Sequence, residues 1–531
     1  MEPGEGAVVT TGAGLPAGFA RRTRVVGDLG LPSEGSSGPG WSHLRDDPGA
    51  WPSDPDETIV IIVELNVRYP GGPRDCAAAF DALWHELVAR HVESTHATVL
   101  LRRTRISVRL YQCVLTRRGL AVLLGADVAG PGHPAVVFRV WPDYDLYPQI
   151  DRSAPTVKVD AARRVFNSNG AGIVWAVVDT GVDADHPHFA SLELSRGGAA
   201  DDSAPVTGGL HRDFSSLVQP QRAGPASVSA LTDEDGHGTH VAGIIAGSCP
   251  PGLAPHVATS DEPTDGGYVP RAHVGLIQGM APLCELVSLK VFRRLDGVAV
   301  TSSAAVISAL EYVRAQVNVS ESALRIHGVN LSLGCDWDPS HYAAGQSPLC
   351  QLINQLVATG VVVVVSAGNG GSAQSTASAR QNIGLLASIT EPGHAGDCIT
   401  VGSTHRDAPT VFGVSWTSSK GPTLDGRSKP DVVAPGEWIC SAATGVVRNR
   451  AGLNGITGDN PALCYAELSG TSMAAPHVSG LVAGFLSSRP EFIGQPSDVK
   501  DMLVKTAIDL GRDKYAQGAG LVDAMNLHAH I

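Results

Sequence analysis

SGTSMAAPHVSG, residues 469–480, joins a short glycine-containing turn to an apolar run with helical character. Ser472 lies at the start of this predicted helix, where a serine satisfies an unpaired backbone N–H and needs no further role. The same position suits a nucleophile, but a serine hydroxyl is reactive only when a base activates it. The stretch therefore raises the question of whether the chain also carries a base, an acid that orients it, and a donor for an oxyanion.

The composition indicates a large, acidic α/β protein. The chain has 531 residues, 43% of them hydrophobic, and 61 glycines, which favours a compact fold with several units and many tight turns. A net charge of −13 argues against a nucleic-acid partner, because phosphate binding requires a basic surface. The longest apolar run, residues 356–368, is too short to span a bilayer, so no membrane segment is expected.

The start of the chain and the cysteines suggest a compartment. The first thirty residues carry acidic groups and lack an apolar core of signal-peptide length. Nine cysteines, an odd number without zinc-like pairing, suit a reducing environment. We therefore expect a cytoplasmic protein.

The chain divides into four segments by pattern. Residues 1–56 are rich in Gly, Pro and Ser and predict a flexible tail. Residues 57–142 show the order strand, helix, strand, strand, helix, strand, which predicts a small α+β ferredoxin-like domain. Residues 143–155 predict a linker, and in residues 156–531 apolar strands alternate with helices, which predicts a mainly parallel sheet with both faces covered.

Polar residues follow the predicted strands and helix starts of this last segment. Asp179 directly follows an apolar strand, and Asn369 follows another, between glycines. His237 lies at a glycine-flanked helix start, with His240 three residues later. Taken singly, the Asp and Asn suit turns, and the two histidines would make a weak metal pair without a third ligand. Together with Ser472, however, Asp179, His237 and Asn369 supply an orienting acid, a base and an oxyanion donor in one domain.

These residues lie in motifs that resemble those of the subtilases, the peptidase S8 family of subtilisin-like serine proteases. The resemblance covers roughly residues 156–527, and the chain order Asp, His, Ser is that of the family. The motifs are DTGVD (179–183), HGTHVAG (237–243), GMAP (279–282), NLSLG (330–334), AGN (367–369), KPDVVAPG (429–436) and GTSMAAPHVSG (470–480). The resemblance implies a subtilisin-like three-layer α/β/α domain and a serine endopeptidase.

The resemblance also implies the roles of individual residues. Ser472 would be the nucleophile, His237 the base, Asp179 its orienting acid and Asn369 the oxyanion donor. Two segments would form the walls of the primary specificity pocket, and His240 and His477 would serve packing. The pocket walls would be Ser332, Leu333 and Gly334 on one side and Ser366, Ala367 and Gly368 on the other. A strand around residues 295–297 would help to hold an extended substrate.

Cofactors, partners and specificity follow less directly. No cofactor is expected to be required. No metal site is identified, because an insertion stands where some relatives of the family bind calcium. The Asp261, Glu262 and Asp265 side chains of this insertion are explained more simply as an exposed acidic loop. Protein or peptide substrates are expected. The amino-terminal domain has the same order of elements as the inhibitory propeptides of the family, so the resemblance implies a propeptide that acts as an intramolecular inhibitor; an accessory domain that stays attached is the alternative. A transferase that resolves the same acyl-enzyme with an amine, and a binding module without activity, remain as alternatives. Residues 371–397 depart from the family pattern, so the side-chain preference is not readable.

Overall fold

The structure is a computed structural model with two compact units, Met1–Leu146 and Tyr147–Ile531. It describes residues 54, 56–66, 68–94, 101–105, 110–127, 134–142, 153–192, 194, 209–219, 229–260, 267–273, 276–319, 324–335, 343–374, 382–455 and 463–530. Of the predicted tail, only Asp54 and Asp56 are among these residues, and residues 143–152 of the predicted linker lie outside them. No helix among the described residues is both long and apolar enough to cross a membrane.

The first unit is a four-stranded antiparallel sheet with two helices. Its strands are Thr58–Leu65, Arg102–Arg105, Leu110–Thr116 and Val137–Pro142, and its helices are Gly72–Ser94 and Arg117–Ala126. Across the sheet the second strand pairs with the third, the third with the first, and the first with the fourth. Alternate residues of the first strand, such as Ile61 and Val63, join Phe80 and Trp84 of the long helix in one apolar core. This arrangement agrees with the predicted ferredoxin-like domain.

The second unit is built on a seven-stranded sheet in which all neighbouring strands are parallel. The strands, in their order across the sheet, are Val432–Pro435, Ile399–Thr404, Val362–Ser366, Gly328–Leu331, Val174–Asp179, Glu285–Lys290 and Arg212–Asp213. The strands Val362–Ser366, Gly328–Leu331 and Val174–Asp179 are buried along their whole length because both faces of the sheet are covered. The predicted mainly parallel sheet is therefore confirmed.

Helices and smaller strands surround this sheet. The α-helices are Ser153–Thr156, Val159–Phe166, His237–Ile245, Ser303–Tyr312, Pro348–Ala358, Pro409–Phe412, Gly445–Arg450, Thr471–Ser488, Pro496–Thr506, Lys514–Gln517 and Ala524–Ala529. A four-stranded sheet contains Ile439–Ala442, Cys464–Leu468, His256–Ser260 and Tyr268–Ala272. Two hairpins pair Arg293–Leu295 with Val298–Val300 and Ser372–Gln374 with Asn382–Gly384.

Separate apolar cores lie on the two faces of the parallel sheet, so the unit has three layers. On one face Trp175 and Val177 pack with residues of the helices His237–Ile245 and Thr471–Ser488. On the other face Ala176 and Val178 pack with residues of Ser303–Tyr312 and Pro348–Ala358. The carboxyl ends of parallel strands meet at one edge of a sheet, and this edge carries the candidate site.

The beginning of the second unit differs from the prediction. We predicted a linker over residues 143–155, but Ser153–Thr156 form a helical turn and Ser153 is buried. The Ser153 hydroxyl lies 2.7 Å from Nε2 of His477, which is inside the helix Thr471–Ser488. A buried partner far along the chain explains why these residues are ordered despite a linker-like composition.

Candidate active site

Asp179 and His237 form a direct hydrogen bond. Asp179 is the last residue of the strand Val174–Asp179 and is 1% exposed, and His237 begins the helix His237–Ile245. His237 Nδ1 lies 2.7 Å from Asp179 Oδ1, which also accepts from the Thr180 N–H at 2.8 Å. A Cβ atom on Gly238 would lie 2.2 Å from the carbonyl oxygen of Gly181. Only glycine therefore allows the helix to approach the strand end closely enough for this bond.

The electrostatic surroundings of His237 favour its protonated form. Burial opposes the charge, but the Asp179 carboxylate and its hydrogen bond outweigh burial, and Asp235 and Asp233 add to the effect. Together they raise the pKa of His237 to about 9. The imidazole side chain is still 28% exposed, so it can exchange protons with a group in the cleft. An imidazolium that forms during a reaction would be stabilised here.

Two acids ahead of His237 fix the start of its helix. Asp233 accepts hydrogen bonds from the Gly236 N–H at 2.8 Å and from both the N–H and the hydroxyl of Thr239, at 2.9 and 2.7 Å. Asp235 pairs with Arg294 of the hairpin Arg293–Val300 at 2.7 Å. These contacts tie the segment before His237 to its own helix and to the hairpin.

Ser472 is the second residue of the helix Thr471–Ser488, where backbone N–H groups have no partner within the helix. Its hydroxyl donates to the main-chain carbonyl of Ser332 at 3.2 Å, and the Ser332 hydroxyl donates to the Ser472 carbonyl at 2.8 Å. Within the described residues, no hydrogen bond joins Ser472 to His237. A rotation of the Ser472 side chain would therefore be needed before its proton could pass to His237.

The amide of Asn369 is oriented by Thr471. The Thr471 N–H and hydroxyl both donate to Asn369 Oδ1, at 2.9 and 3.1 Å, and the Gly368 N–H donates to the Thr471 hydroxyl at 3.1 Å. Since the amide oxygen accepts these bonds, the NH₂ group of Asn369 remains as the donor to other groups. Asn369 thus presents donors beside the residue that precedes Ser472.

His237, Asn369 and Ser472 line one cleft of about 560 Å³. The other residues that line it come from strand ends, from the hairpin and from the segment after residue 389. They are Thr180, Asp235, Phe292, Ala299, Thr301, Ser332, Leu333, Gly334, Cys335, Ser366, Gly368, Thr390 and Thr471. Asp179 lies behind His237 and does not line the cleft. A serine hydroxyl, an imidazole and a side-chain amide thus share one solvent-accessible space.

The sequence model described as "Subtilase family" (Peptidase_S8) matches residues 170–521. The chain belongs to the subtilase family. It is 29% identical over 367 residues to serine protease AprX of Bacillus subtilis (strain 168), covering 67% of this chain and 66% of that protein. Subtilisin-like protease PopC of Myxococcus xanthus (strain DK1622) is 26% identical over 408 residues, covering 75% and 66%. Subtilisin DY of Bacillus licheniformis is 28% identical over 369 residues, covering 70% and 95%. The match thus spans slightly less than two thirds of the first two relatives.

The predicted pocket walls of this subtilase lie at the cleft, with one correction. Ser332, Leu333 and Gly334 line it, as do Ser366 and Gly368, but Ala367 does not. Ala367 is fully buried, its N–H donates to the Val401 carbonyl at 2.9 Å, and its carbonyl accepts from the Thr390 N–H at 3.1 Å. The Ala367 side chain therefore lies in the protein interior, and Ser366 and Gly368 form this wall of the pocket.

The hairpin beside the cleft also differs from its predicted form. Asp296 and Gly297 have φ values of 51° and 82° and form its two-residue turn, rather than a strand that holds substrate. Ala299, on the second strand of the hairpin, lines the cleft instead.

Several residues of the site were missed from the sequence. Asp233 stands four residues before the helix start, whereas the N-cap position is Gly236, so the usual capping pattern does not identify it. Thr471 and Thr390 carry no signal either, because the contacts that matter join segments far apart in the chain. Thr390 itself lies within residues 371–397, which depart from the subtilase pattern, so its place at the cleft could not be predicted.

The two other histidines within the subtilase-like motifs lie away from the cleft. His240 and His477 are fully buried, with ring nitrogens 3.0 Å from the Ala466 carbonyl and 2.7 Å from the Met473 carbonyl, respectively. Burial lowers the pKa of His240 to about 3, so this ring is neutral. Asp261, Glu262 and Asp265 lie outside the described residues. Elsewhere in the described part of the chain, no three His, Cys, Asp or Glu side chains cluster as metal ligands would.

Proposed function

We propose that this subtilase is a serine endopeptidase that hydrolyses peptide bonds in extended protein segments through an acyl-enzyme. The observation that carries the proposal is the 2.7 Å bond between Asp179 and His237 beside a cleft that also contains Ser472 and Asn369. A helix start and an oriented amide supply donors for a developing oxyanion in the same space. The names of the relatives, which are proteases and subtilisins, support the same function.

Acylation begins when the Ser472 hydroxyl turns from the Ser332 carbonyl towards His237. Ser472 Oγ attacks the scissile carbonyl carbon while His237 Nε2 takes its proton. Asp179 holds the opposite ring nitrogen and stabilises the imidazolium, and the Asn369 amide and the Ser472 N–H donate to the oxyanion. His237 then gives the proton to the leaving amine, and the C–N bond breaks.

Deacylation repeats these steps with water. His237 takes a proton from the water molecule as its oxygen attacks the ester carbonyl, and the proton then passes to Ser472 Oγ as the acid product leaves. Side chains and backbone N–H groups carry every step, so the proposed reaction requires no cofactor.

A fluorophosphonate probe tests this reaction directly, since it reacts with an activated serine. We expect labelling of Ser472 and hydrolysis of an unfolded protein substrate by the wild-type chain, and neither by Ser472→Ala. Ser487→Ala, at the opposite end of the same helix, is the control and should keep both. A chain with Ser472 that neither labels nor hydrolyses, even after deletion of residues 1–150, would contradict the proposal.

We also propose that the amino-terminal unit acts as an intramolecular inhibitor of the cleft. Two observations support this idea: the unit has the order of elements that the resemblance associates with inhibitory propeptides, and it directly precedes the protease unit in the chain. An endopeptidase that is always active would attack proteins around it, which gives such a restraint a purpose.

Self-cleavage between the units is one way to relieve this restraint. Gel electrophoresis of the wild type should show a fragment of roughly 15–17 kDa, the size expected for a cut near residues 143–155, and Ser472→Ala should stay intact. Inhibition is tested separately by deleting residues 1–150. Activity per labelled serine should rise on deletion, and an unchanged rate would exclude restraint by this unit.

A further inference from the structure

The two walls of the pocket end in glycines that face the same side chain. A Cβ atom built on Gly334 would lie 2.5 Å from Thr390 Oγ1, and one built on Gly368 would also lie 2.5 Å from it. Gly334 and Gly368 belong to the opposite walls, so a single hydroxyl stands close to both. The Thr390 side chain therefore occupies the space between the walls, where a substrate side chain would enter.

The main chain around Thr390 closes the slot between the walls. The Thr390 N–H donates to the carbonyl of Ala367 on one wall at 3.1 Å. The next residue, Glu391, exchanges two backbone hydrogen bonds with Cys335 just beyond the other wall, at 2.8 and 3.1 Å. The segment is thus attached to both walls and cannot move out of the slot without breaking these bonds.

The side chain of Thr390 has little freedom of its own. A β-branched residue has few allowed χ1 positions, and the Thr390 hydroxyl is also within 3.4 Å of the Ala367 carbonyl. A large substrate side chain would have to displace it against a fixed backbone. Close-packed sites tolerate such overlap poorly.

We propose that Thr390 shortens the pocket and makes the enzyme select a small side chain, that of Gly, Ala or Ser, on the residue that supplies the scissile carbonyl. This inference rests on the proposed endopeptidase function, and it names the substrate class of the same cleft. Discrimination by the fit of a side chain changes kcat/KM by about 10- to 200-fold. We therefore expect kcat/KM to be at least about tenfold higher for Ala than for Leu or Phe at this position.

The test uses the full chain and peptides that differ only at this one residue. Values of kcat/KM are measured for Gly, Ala, Ser, Leu and Phe peptides and divided by the concentration of serine that a fluorophosphonate labels. Thr390→Gly removes the side chain and should reduce the Ala-over-Phe ratio by tenfold or more. Thr390→Val keeps the shape without the hydroxyl and should keep the wild-type ratio, because the effect is steric.

The outcomes separate this inference from the proposed function. If the wild type labels and hydrolyses Leu and Phe peptides as well as Ala peptides, Thr390 does not limit the pocket, although the endopeptidase function stands. A preference that Thr390→Gly leaves unchanged in a chain that still labels also overturns the inference. Absence of both labelling and hydrolysis in the wild type, and also in a chain that lacks residues 1–150, contradicts the endopeptidase function, and the inference fails with it. The Ala-over-Phe ratio of the wild type tests the inference without any variant. The inference can therefore be overturned even if the Thr390→Gly chain fails to fold.

Discussion

Ser332 and Ser472 form two reciprocal hydrogen bonds, each hydroxyl donating to the main-chain carbonyl of the other residue. A buried chain of polar groups extends from this pair. Asn330 Nδ2 donates to the Ser332 hydroxyl, and the Ser479 hydroxyl donates to Asn330 Oδ1, each at 2.9 Å. Ser472 and Ser479 are on the same helix, so the network ties that helix to Asn330, in the strand Gly328–Leu331, and to Ser332, directly after that strand.

Replacing Ser332 with Ala should weaken both stability and catalysis. The substitution leaves the buried Asn330 amide without its Ser332 partner, which costs about 1–3 kcal/mol of unfolding free energy. It also removes the hydrogen bond that the Ser332 hydroxyl donates to the Ser472 carbonyl. Ser472 is then positioned less precisely, so kcat should fall. Urea unfolding in a Ser472→Ala background measures the first effect without self-digestion, and peptide hydrolysis measures the second.

Ser487→Ala is the matched control for this variant. Ser487 accepts a hydrogen bond from the Gly170 N–H at 2.9 Å and lies fifteen residues after Ser472, or about 22 Å along the helix. Its loss should reduce stability by about 1 kcal/mol and leave kcat unchanged. If both variants lower kcat equally, the network acts through overall stability and does not position Ser472.

Asn369→Leu should lower kcat by about 100- to 1000-fold with little change in KM, because a donor to the oxyanion acts in the transition state. Leucine has a similar size but no donor. Thr471→Val keeps the Asn369 amide and removes one of the two bonds to its oxygen, so its loss of kcat should be smaller. Steady-state kinetics with one peptide separates the two parameters. A purely higher KM in Asn369→Leu would show that the amide binds the ground state instead.

The sequence predicts the parts of the site that depend on local pattern. Asp179 and Asn369 are readable because each follows a continuous apolar strand, and parallel strands bring their carboxyl ends to one edge. The order of elements likewise predicts both units. Thr390 and the burial of Ala367 could not be predicted, because they depend on how distant loops meet at the cleft. The hydrogen bond from Ser472 to Ser332 depends on the rotamer of one side chain, which cannot be predicted from the spacing of residues in the sequence.

The activity should rise with pH through the pKa of His237, since only the neutral imidazole can take the Ser472 proton. Asp179 holds that pKa up, to about 9, so the rise should lie above the pH range of an ordinary histidine. Asp179→Asn removes the negative charge, lowers the pKa of His237 and moves the rise to lower pH. It should also reduce kcat by about 10⁴-fold, because the ring is no longer held in the correct tautomer.

A pH profile of kcat/KM checks both the position and the direction of this shift. Asp235→Asn should move the profile in the same direction by less, since the Asp235 charge is a smaller contributor than that of Asp179. A shift to higher pH in either variant would contradict the electrostatic assignment.

Acid should destabilise the second unit through two buried histidines. His186 Nε2 is 2.9 Å from the Cys464 carbonyl, and His188 Nε2 is 3.2 and 3.1 Å from the carbonyls of Gly243 and Ala246, so these nitrogens carry the hydrogen. The opposite nitrogens accept, His188 Nδ1 from the Tyr465 hydroxyl at 3.1 Å and His186 Nδ1 from the His188 N–H at 3.2 Å. A second proton on either ring would break an accepted bond.

Burial lowers the pKa of His186 to about 4 and that of His188 to about 3, below the ordinary value of 6.5. The unfolded chain therefore binds protons first, and stability is lost as pH falls from 6.5 towards these values, by up to about 1.4 kcal/mol per pH unit for each histidine. His188→Gln keeps a donor and does not titrate. Urea unfolding from pH 7 to pH 4, in a Ser472→Ala background, should show a shallower loss in this variant. The exposed His530→Gln is the control, and an equal slope in both variants would show that His188 does not cause the acid sensitivity.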